Sequence, residues 1–406
     1  MINRNNWKKV KLCEIAEIVM GQSPKSEFYN SEQNGLPFFQ GCTDFGELYP
    51  KTRVWSTAFN KIAEREDVLM SVRAPVGDLN IAREKCVIGR GLCALRTKLD
   101  NDRFLYYLLK GNNKHITSFG SGAVYDAINR PSLENIILEV PDLPIQQKIA
   151  SILSAYDDLI ENNNRRIKIL EEITQMIYDE WFVKFRFPGY SRVKMVDSEL
   201  GKIPEGWEVK ILSDIMDFQG GAQPPSNEFI DVYQDGYVRL IQIRDYESDS
   251  HITYVPDTNK LRKCNDMDIM IARYGASVAR VCWGLEGAYN VALVKVLPKR
   301  EGYIEFLRSH LKSNYFQKLL IGMSGRAAQA GFNKRDIQSV RLPFPKKDDL
   351  VNHYQDFVSP MRKLVLNCKY QIGRLQQCRD LLLPKLISGE IDVEDIDIDI
   401  GDVDDR

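Results

Sequence analysis

The feature that most constrains this chain is a long helical pattern that occurs twice, about two hundred residues apart. The first copy begins LPIQQKIASILSAYDDLIENNNRRIKIL at Leu143, and the second begins LVNHYQDFVSPMRKLVLNCKYQIGRL at Leu350. Matched residues are 205 positions apart, as in Ile145 with Leu350, Ser154 with Ser359, Leu159 with Leu364, Asn162 with Asn367, Ile167 with Ile372 and Leu170 with Leu375. A fixed spacing of this kind indicates an internal duplication.

The sequence ahead of each helix repeats as well. Trp7 opens WKKVKLCEIAEIVMGQSP, and Trp207 opens WEVKILSDIMDFQGGAQP, which places Gly21 opposite Gly221. The offset between matched residues drifts only from 200 to 205 along the chain. The sequence therefore predicts two copies of one unit, each a globular part followed by a long helix.

Within each globular part, short apolar runs bounded by turn residues predict strands. Such runs are LPFFQG, DVLMSV and CVIGRGLCALR in the first copy and GYVRLIQI, DIMIARYG and NVALVKVL in the second. Helical spacing is present in DNDRFLYYLLKGNN and EGYIEFLRSHLKSNYFQKLL. We therefore predict a mixed α/β fold with two tandem α+β domains. The predicted boundaries are 1–143 for the first domain, 144–187 for the first long helix, 188–205 for a linker, 206–345 for the second domain, 346–389 for the second long helix and 390–406 for an acidic tail.

The long helices carry their core positions in alternating steps of four and three, a period near 3.5 that is typical of a coiled-coil seam. The first seam is predicted to contain Ile149, Leu153, Tyr156, Ile160, Asn163, Ile167, Leu170, Thr174, Ile177 and Trp181. The second is predicted to contain Tyr354, Val358, Met361, Val365, Cys368, Ile372, Leu375, Arg379, Leu382 and Leu386. Because the two copies run in the same chain direction, their helices can pack antiparallel only about a pseudo-twofold axis. Two unrelated amphipathic surface helices are the alternative.

Composition excludes several classes of protein. Of the 406 residues, 44% are hydrophobic and 27% charged, values typical of globular domains. No apolar run is long enough to cross a bilayer and the amino terminus lacks the apolar core of a signal peptide, so we predict a cytoplasmic protein. The 8 cysteines include no C-x-x-C pair and are expected to be reduced thiols.

The net charge of −1 hides an asymmetry. The tail EIDVEDIDIDIGDVDDR from Glu390 holds nine acidic residues and one basic residue, which leaves 54 Lys and Arg against 47 acidic residues in the rest of the chain. A modestly basic body is compatible with binding nucleic acid. We expect the tail to be solvated and flexible, with an edge strand or a competitor for a basic groove as the alternative.

The sequence contains none of the common catalytic motifs. It has no G-x-x-x-x-G-K-[ST] loop, no G-x-G-x-x-G after a strand, no G-x-S-x-G turn and no H-E-x-x-H. The Asp-Pro-Pro-Tyr motif by which amino-methyltransferases hold a flipped base is also missing, and PDTNK at Pro256 is only faintly like a nuclease metal site. We therefore expect no metal, no cofactor and no catalysis on this chain.

The repeat and its motifs resemble one known family. Each copy opens with W-x-x-x-x-L, at Trp7 and, after IPEG, at Trp207, and each has a central D-[VI]-[LI]-[MI] strand, at Asp67 and Asp268. The join VPDLPIQQKIASIL is the most specific element, whereas its second copy, FPKKDDLV, departs from the pattern. Up to about Glu390, the chain resembles the specificity subunit of type I restriction-modification systems.

The resemblance implies that each globular part is a target recognition domain for one half of a bipartite, asymmetric sequence in double-stranded DNA. It implies that the two helices act as a ruler for the spacer between the halves. Two methyltransferase subunits would dock on the helices and methylate adenine with S-adenosylmethionine that they bind themselves. Two motor-nuclease subunits would add ATP and Mg²⁺, and the specificity subunit would catalyse nothing.

Base contacts need forked donors and amides, and phosphate contacts need Lys, Arg, hydroxyl groups or backbone N–H groups. Polar loops flanked by glycine are the expected places for them. Our candidates for DNA contact are Gln40, Arg73, Tyr125, Asn129 and Arg130 in the first part and Arg244, Arg273, Tyr274, Arg326, Gln329, Asn333 and Lys334 in the second. Ordinary surface or turn placement is the alternative for each residue. A coiled-coil scaffold that binds only protein, and a nuclease or methyltransferase with unfamiliar motifs, stay open as other functions.

Overall fold

The structure is a computed structural model that describes residues 7–98, 101–119, 127–274, 277–324, 337 and 339–397. The chain divides into two compact units. Unit 1 comprises residues 1–162 and 372–406, and unit 2 comprises residues 163–371. Unit 1 is therefore assembled from two separate stretches of the chain, whereas unit 2 is one continuous stretch.

The described strands of unit 1 are short and form three sheets. They are β1 (Lys8–Lys11), β2 (Ala16–Met20), β3 (Tyr29–Asn30), β4 (Leu36–Phe39), β5 (Trp55–Ser56), β6 (Ile62–Ala63), β7 (Val68–Ser71), β8 (Leu79–Ile81), β9 (Cys86–Ile88), β10 (Leu92–Thr97) and β11 (Ile137–Val140). β1 pairs with β11, and an antiparallel sheet has the order β2-β10-β7-β8. The third sheet has the order β3-β5-β4-β9-β6, in which β4 and β9 run parallel. Every residue of β7 and β9 is buried, as expected for strands covered on both faces.

The helices of unit 1 pack against its hydrophobic core. They are α1 (Leu12–Ile15), α2 (Asp102–Gly111), α3 (Asn113–Ser118), α4 (Arg130–Glu134) and the first part of the long helix α5 (Leu143–Tyr178). Asn101 caps α2 by accepting a hydrogen bond from Phe104 N at 3.1 Å. All residues from Phe104 to Leu109 are buried. α2 is therefore enclosed on all sides, and Ile149 and Leu153 of α5 belong to the same core.

The described strands of unit 2 form four sheets. They are β12 (Met195–Ser198), β13 (Gly201–Pro204), β14 (Trp207–Ile211), β15 (Met216–Gly220), β16 (Tyr237–Ile241), β17 (Tyr254–Pro256), β18 (Lys263–Cys264), β19 (Met270–Ala272), β20 (Val281–Cys282), β21 (Gly287–Tyr289), β22 (Leu293–Pro298) and β23 (Arg341–Pro345). The sheet orders are β12-β13, β14-β23, β15-β22-β19-β20 and β17-β16-β21-β18. As in unit 1, one sheet contains a parallel pair, here β16 and β21.

Unit 2 also contains the helices α6 (Ile304–Lys312) and α7 (Asn314–Ser324) and the first part of the second long helix, α8 (Asp349–Ile387). A buried charge cluster links α6 to α8. Glu305 Oε2 accepts hydrogen bonds from Arg308 Nε and from Arg362 Nε, both at 3.1 Å, and all three side chains are buried. Two arginines share one carboxylate here, so buried ion pairs as well as apolar contacts hold α8 against its domain.

The duplicated mixed α/β fold predicted from the sequence is confirmed. The order β2-β10-β7-β8 in unit 1 recurs as β15-β22-β19-β20 in unit 2, and the pair β1-β11 recurs as β14-β23. Two details differ from the prediction. CVIGRGLCALR forms two strands, because the backbone turns between Gly89 and Gly91, and EGYIEFLRSHLKSNYFQKLL forms two helices, because Ser313 adopts an extended conformation between α6 and α7.

Both predicted long helices are present, α5 with 36 residues and α8 with 39. All the residues predicted for the two seams are buried or half-buried. α5 ends at Tyr178 and is followed by a π-helical turn at Asp179–Val183 rather than running on to residue 187. The helix stops here because Phe182, Phe185 and Phe187 pack around Trp207, with ring centroids 5.2 to 6.0 Å apart.

The described start of the predicted tail, residues 390–397, is exposed at its acidic residues but not at two of its apolar ones. Val393 is buried in the core of unit 1, and Ile391 packs against the same core. Lys148 Nζ donates a hydrogen bond to Glu394 O at 2.6 Å. The acidic residues alternate with apolar ones, so an apolar side chain can turn inward while its acidic neighbours stay in solvent.

Candidate nucleic-acid interface

In unit 1, backbone hydrogen bonds connect several loops that form one continuous edge. Gly91, between β9 and β10, donates from N to Gln40 O at 3.0 Å and accepts at O from Val72 N at 2.9 Å. Val72 O in turn accepts from Ile128 N at 3.0 Å. We call this continuous edge rim 1. It consists of residues 21–24, 40–41, 72–77, 89–91 and 127–130.

Segment 21–24 joins rim 1 by a close approach of two backbones. Gly21 N donates a hydrogen bond to Leu92 O at 2.9 Å. A Cβ atom on Gly21 would lie 2.1 Å from Gly89 O and 2.7 Å from Leu92 O, so a larger residue does not fit. Ser23 Oγ accepts from Arg90 N at 3.2 Å. Rim 1 is therefore held by its backbone, which leaves its long side chains available for other contacts.

The exposed long polar side chains of rim 1 include those of Gln40, Arg73 and Arg90. Within the described ranges, none of the three side chains has a hydrogen bond or an ion pair. Free amide and guanidinium groups are suited to base edges and phosphates. Gln40 and Arg73 were candidates from the sequence, and the structure places them on one edge together with Arg90.

Asn129 and Arg130 also lie on rim 1, and both have structural partners. Asn129 Oδ1 accepts a hydrogen bond from Ser132 N at 2.9 Å and so caps α4. Arg130 Nε donates to Glu134 Oε1 at 2.8 Å within the same helix. Both residues are exposed, so a DNA contact by either side chain would compete with these bonds.

Unit 2 builds a similar edge. Arg273 N donates to Ala292 O at 2.9 Å, and Asn290 N donates to Ile241 O at 3.2 Å. A Cβ atom on Gly221 would lie 2.1 Å from Asn290 O, which repeats the close approach at Gly21. We call this edge rim 2. It consists of residues 221–224, 242–243, 273–274 and 290–292.

The two rims correspond in part. In each unit three residues separate the last strand of the parallel pair from the next strand. Gly89 N donates to Phe39 O as Asn290 N donates to Ile241 O, and Gly91 O accepts from Val72 N as Ala292 O accepts from Arg273 N. The bond from Gly91 N to Gln40 O does not recur among the described residues, because Ala292 N donates to Asn290 Oδ1. The correspondence places Gln242 opposite Gln40, Tyr274 opposite Arg73 and Val291 opposite Arg90. One frame therefore presents the same residue type at one position and different types at the other two.

On rim 2 the side chains of Arg273 and Tyr274 lie together. The guanidinium carbon of Arg273 is 5.0 Å from the centroid of the Tyr274 ring, a cation–π geometry. Tyr274 is 43% exposed, so the pair offers both a positive charge and an aromatic face. Gln242 is half-buried and its Nε2 lies 3.4 Å from Thr253 Oγ1, unlike the free side chain of Gln40.

Arg244 lies two residues beyond Gln242, in the turn Ile243–Tyr246, and is exposed. Asp245 Oδ2 accepts a hydrogen bond from Gln242 N at 2.9 Å, which fixes the start of this turn. Burial raises the pKa of Asp245, and the bond from Gln242 and the charge of Arg244 oppose this rise. Arg244 also lines an open groove together with Tyr233 and other residues of the neighbouring loops.

Five of the candidate residues lie outside the described residues. They are Tyr125, Arg326, Gln329, Asn333 and Lys334. The structure adds three residues that the sequence did not single out. Arg90, Gln242 and Val291 reach the rims through strand pairing, and the only local signal was the glycine on each side of Arg90.

Over the described ranges, no group of three or more His, Cys, Asp or Glu side chains is placed to hold a metal ion. No helix in the same ranges combines the length and hydropathy needed to cross a bilayer.

Comparisons with known proteins show the family to which the chain belongs. The profile of the family described as "Type I restriction modification DNA specificity domain" matches residues 4–172 and 204–355. The chain is 41% identical over 177 residues to a putative type I restriction enzyme MjaX specificity subunit of Methanocaldococcus jannaschii, a match covering 42% of this chain and 41% of that protein. It is 25% identical to the MjaIX specificity subunit of the same organism, covering 96% of this chain and 95% of that one.

The crystal structure of a type I restriction-modification S subunit from M. genitalium has a similar fold. Its TM-score is 0.62 at 18% sequence identity, and the match covers 95% of this chain and 97% of that one. The duplicated α/β domain, matched twice by this family profile, places the chain in the class of DNA specificity proteins. The chain belongs to the family of type I restriction-modification specificity subunits, which are not catalytic and give sequence specificity to complexes whose partner subunits carry out catalysis.

Proposed function

We propose that this chain reads a bipartite, asymmetric DNA sequence, with rim 1 facing one half of the site and rim 2 facing the other. The observation that carries the proposal is the correspondence of the two rims. A shared backbone frame would dock on DNA in the same way in both halves, whereas Arg73 and Tyr274 at equivalent positions would select different bases. Two identical rims would instead read a palindrome.

The candidate residues divide by their surroundings. Gln40 and Arg73 are free to contact base edges, and Arg273 with Tyr274 offers a charge beside an aromatic face. Arg244, which is exposed and has its Nε 3.8 Å from Asp245 Oδ1, would contact a phosphate near rim 2. Asn129 and Arg130 lie exposed on rim 1 and remain in the proposed interface. The sequence alone supports five further candidates, Tyr125, Arg326, Gln329, Asn333 and Lys334.

The long helices are proposed to pack antiparallel as a coiled coil about a pseudo-twofold axis and to fix the spacer. Contacts inside each unit support this arrangement. In unit 1, Asp157 of α5 bonds to Arg379 of α8. In unit 2, Tyr354 Oη of α8 donates to Thr174 O of α5 at 3.1 Å, so the late part of α5 meets the early part of α8.

The proposed assembly contains two methyltransferase subunits and two motor-nuclease subunits, and a cytoplasmic location belongs to the same proposal. The methyltransferase subunits would bring S-adenosylmethionine and methylate adenine. The motor-nuclease subunits would bring ATP and Mg²⁺. This chain would bind none of these cofactors.

The proposal is tested by mapping methyl-adenine in the DNA of cells that express the chain together with the methyltransferase encoded beside it. The control is the same strain without this chain. We expect a gapped, asymmetric motif that disappears in the control, and we expect that exchange of residues 206–345 for those of a relative changes one half only. A motif that persists without the chain would contradict the proposal.

A second measurement separates DNA reading from a protein-only scaffold. The purified complex should bind duplex DNA with an affinity that falls steeply with salt, because phosphate contacts release counterions. Binding to the methyltransferase without any salt-sensitive DNA binding would favour the scaffold.

A further inference from the structure

Arg90 differs from most of the described arginines of its domain. Arg53, Arg65, Arg83, Arg96, Arg103 and Arg130 each form an ion pair with a carboxylate. Within the described residues between 7 and 142, only Arg73 and Arg90 lack such a partner, and both lie on rim 1. A guanidinium without a carboxylate at an exposed edge is available for a ligand.

The backbone around Arg90 is fixed on both sides. A Cβ atom on Gly89 would lie 2.9 Å from Gln40 Cα, and one on Gly91 would lie 2.5 Å from Gln40 O. Arg90 N donates to Ser23 Oγ, so the residue is held at its own amide as well. The peptide is therefore locked between two segments, and the side chain of Arg90 alone extends outward. A fixed backbone lowers the entropy lost when a long side chain is ordered on a ligand.

The equivalent position in unit 2 carries the opposite chemistry. Val291 occupies the middle of the three-residue segment between β21 and β22 and is 43% exposed. An exposed valine on a polar edge has no charge to offer a phosphate, but its methyl groups can contact the methyl group of thymine. Arginine, in contrast, forms two hydrogen bonds with O6 and N7 of guanine.

We propose that positions 90 and 291 read corresponding bases of the two half-sites, with Arg90 selecting a guanine and Val291 favouring a thymine. The inference rests on the proposed function, because it requires that each rim faces one half of the site. It goes further by naming a second position, besides that of Arg73 and Tyr274, at which the two halves differ and the base that each residue selects there.

The first test replaces Arg90 in the complete methyltransferase complex and maps the methylated motif in cells. In Arg90→Ala, one guanine position of the methylated motif is expected to accept other bases. This position should lie in the half-site read by rim 1, which the exchange of residues 206–345 leaves unchanged. Discrimination at that position should fall by roughly 5- to 150-fold, the range for loss of a bidentate base contact. Val291→Ser should relax a thymine position in the other half only.

Arg65→Ala is the matched control. Arg65 is an exposed arginine of the same domain, its Nε lies 3.8 Å from Glu66 Oε1, and it lies outside rim 1. The motif of this variant should be unchanged. If Arg90→Ala leaves every base position as stringent as in the wild type, the inference is wrong and the proposed function stands.

A second measurement does not depend on the variant folding. The wild-type complex is bound to duplexes in which each guanine of that half is replaced in turn by 7-deazaguanine, which lacks the N7 acceptor. Binding should weaken about tenfold at one position, as expected for loss of about 1.4 kcal/mol. A half-site without guanine, or one with no sensitive guanine, overturns the inference alone. Absence of any motif that depends on the chain overturns the proposed function and this inference with it.

Discussion

Arg379 and Asp157 form a buried ion pair between α8 and α5 in unit 1, with Arg379 Nη1 2.5 Å from Asp157 Oδ1. Tyr107 Oη donates a second hydrogen bond to Asp157 Oδ2 at 2.6 Å. Arg379 thus occupies a seam position where the heptad pattern predicts an apolar residue. Its charge is satisfied by a carboxylate on the facing helix, so the pair fixes which residues of the two helices meet.

We expect Arg379→Met to lower the free energy of unfolding by about 3–5 kcal/mol, because Asp157 would be left buried without a counter-charge. Lys8→Met is the control, since Lys8 and Asp142 form an exposed pair whose loss should cost less than about 1 kcal/mol. Urea unfolding of the two variants measures both values. Equal losses would show that Asp157 does not depend on Arg379.

His310 in unit 2 makes stability depend on pH. Its ring is buried, Tyr178 Oη lies 2.7 Å from Nδ1, and burial lowers the pKa of His310 to about 4. The unfolded chain has a histidine pKa of about 6.5 and binds the proton first, so stability is complete above about pH 6.5 and falls as the pH drops toward 4. Between pH 7.5 and pH 5 this loss should be about 2 kcal/mol.

Between pH 7.5 and pH 5, the free energy of unfolding of His310→Gln should fall by about 2 kcal/mol less than that of the wild type. His251→Gln, at an exposed histidine of the same unit, should keep the wild-type slope. Denaturant unfolding at several pH values provides the comparison. An unchanged slope in His310→Gln would assign the acid sensitivity to other groups.

Val393 tests whether the segment after α8 belongs to the fold. Val393→Asn should destabilise unit 1 by about 1–3 kcal/mol, because it places an amide in an apolar core. Ile396→Asn is its control, since Ile396 is 41% exposed three residues later. Thermal unfolding should separate the two variants by several degrees. If both melt with the wild type, this segment does not hold unit 1 together.

Gly21 tests the backbone frame of rim 1. Gly21→Ala should cost about 1–3 kcal/mol, because its Cβ would overlap Gly89 O and push the segment that holds Arg90. Gly220→Ala, at the end of β15 and outside both rims, should be silent, since a Cβ at Gly220 meets nothing within 4 Å. The readouts are unfolding and the affinity of the complex for its own DNA site. Wild-type behaviour of Gly21→Ala in both would refute this account of the frame.

The sequence was sufficient to predict the duplication, most strands and both long helices, because these depend on local patterns. It could not give the residues that strand pairing brings to the rims. Arg90 and Gln40 lie on the same edge only because β4 and β9 pair in parallel. No local sequence pattern predicts this strand pairing. For the same reason Gln242 and Val291 were missed on rim 2, since the sequence repeat at an offset of 201 places Ile241 opposite Gln40 and only strand pairing matches Gln40 with Gln242.

Other differences arise from tertiary contacts. Val393 turns inward because unit 1 offers an apolar surface that the tail sequence does not reveal. Arg379 is a charged residue at a predicted seam position, and the structure pairs it with Asp157 from the other long helix. Asn129 was a candidate for DNA contact, and its nearest partner is the backbone N–H of Ser132.

The division of the chain into two units also determines the order in which the units can fold during synthesis on the ribosome. Unit 1 needs residues 372–406, which are made after the 209 residues of unit 2. At roughly 5–20 residues per second, its first stretch waits about 10–40 s, with apolar side chains such as Leu153 uncovered. Unit 2 needs no later residue, so the second half of this polypeptide is expected to fold before the first, and the first half is the part that needs protection by chaperones during synthesis.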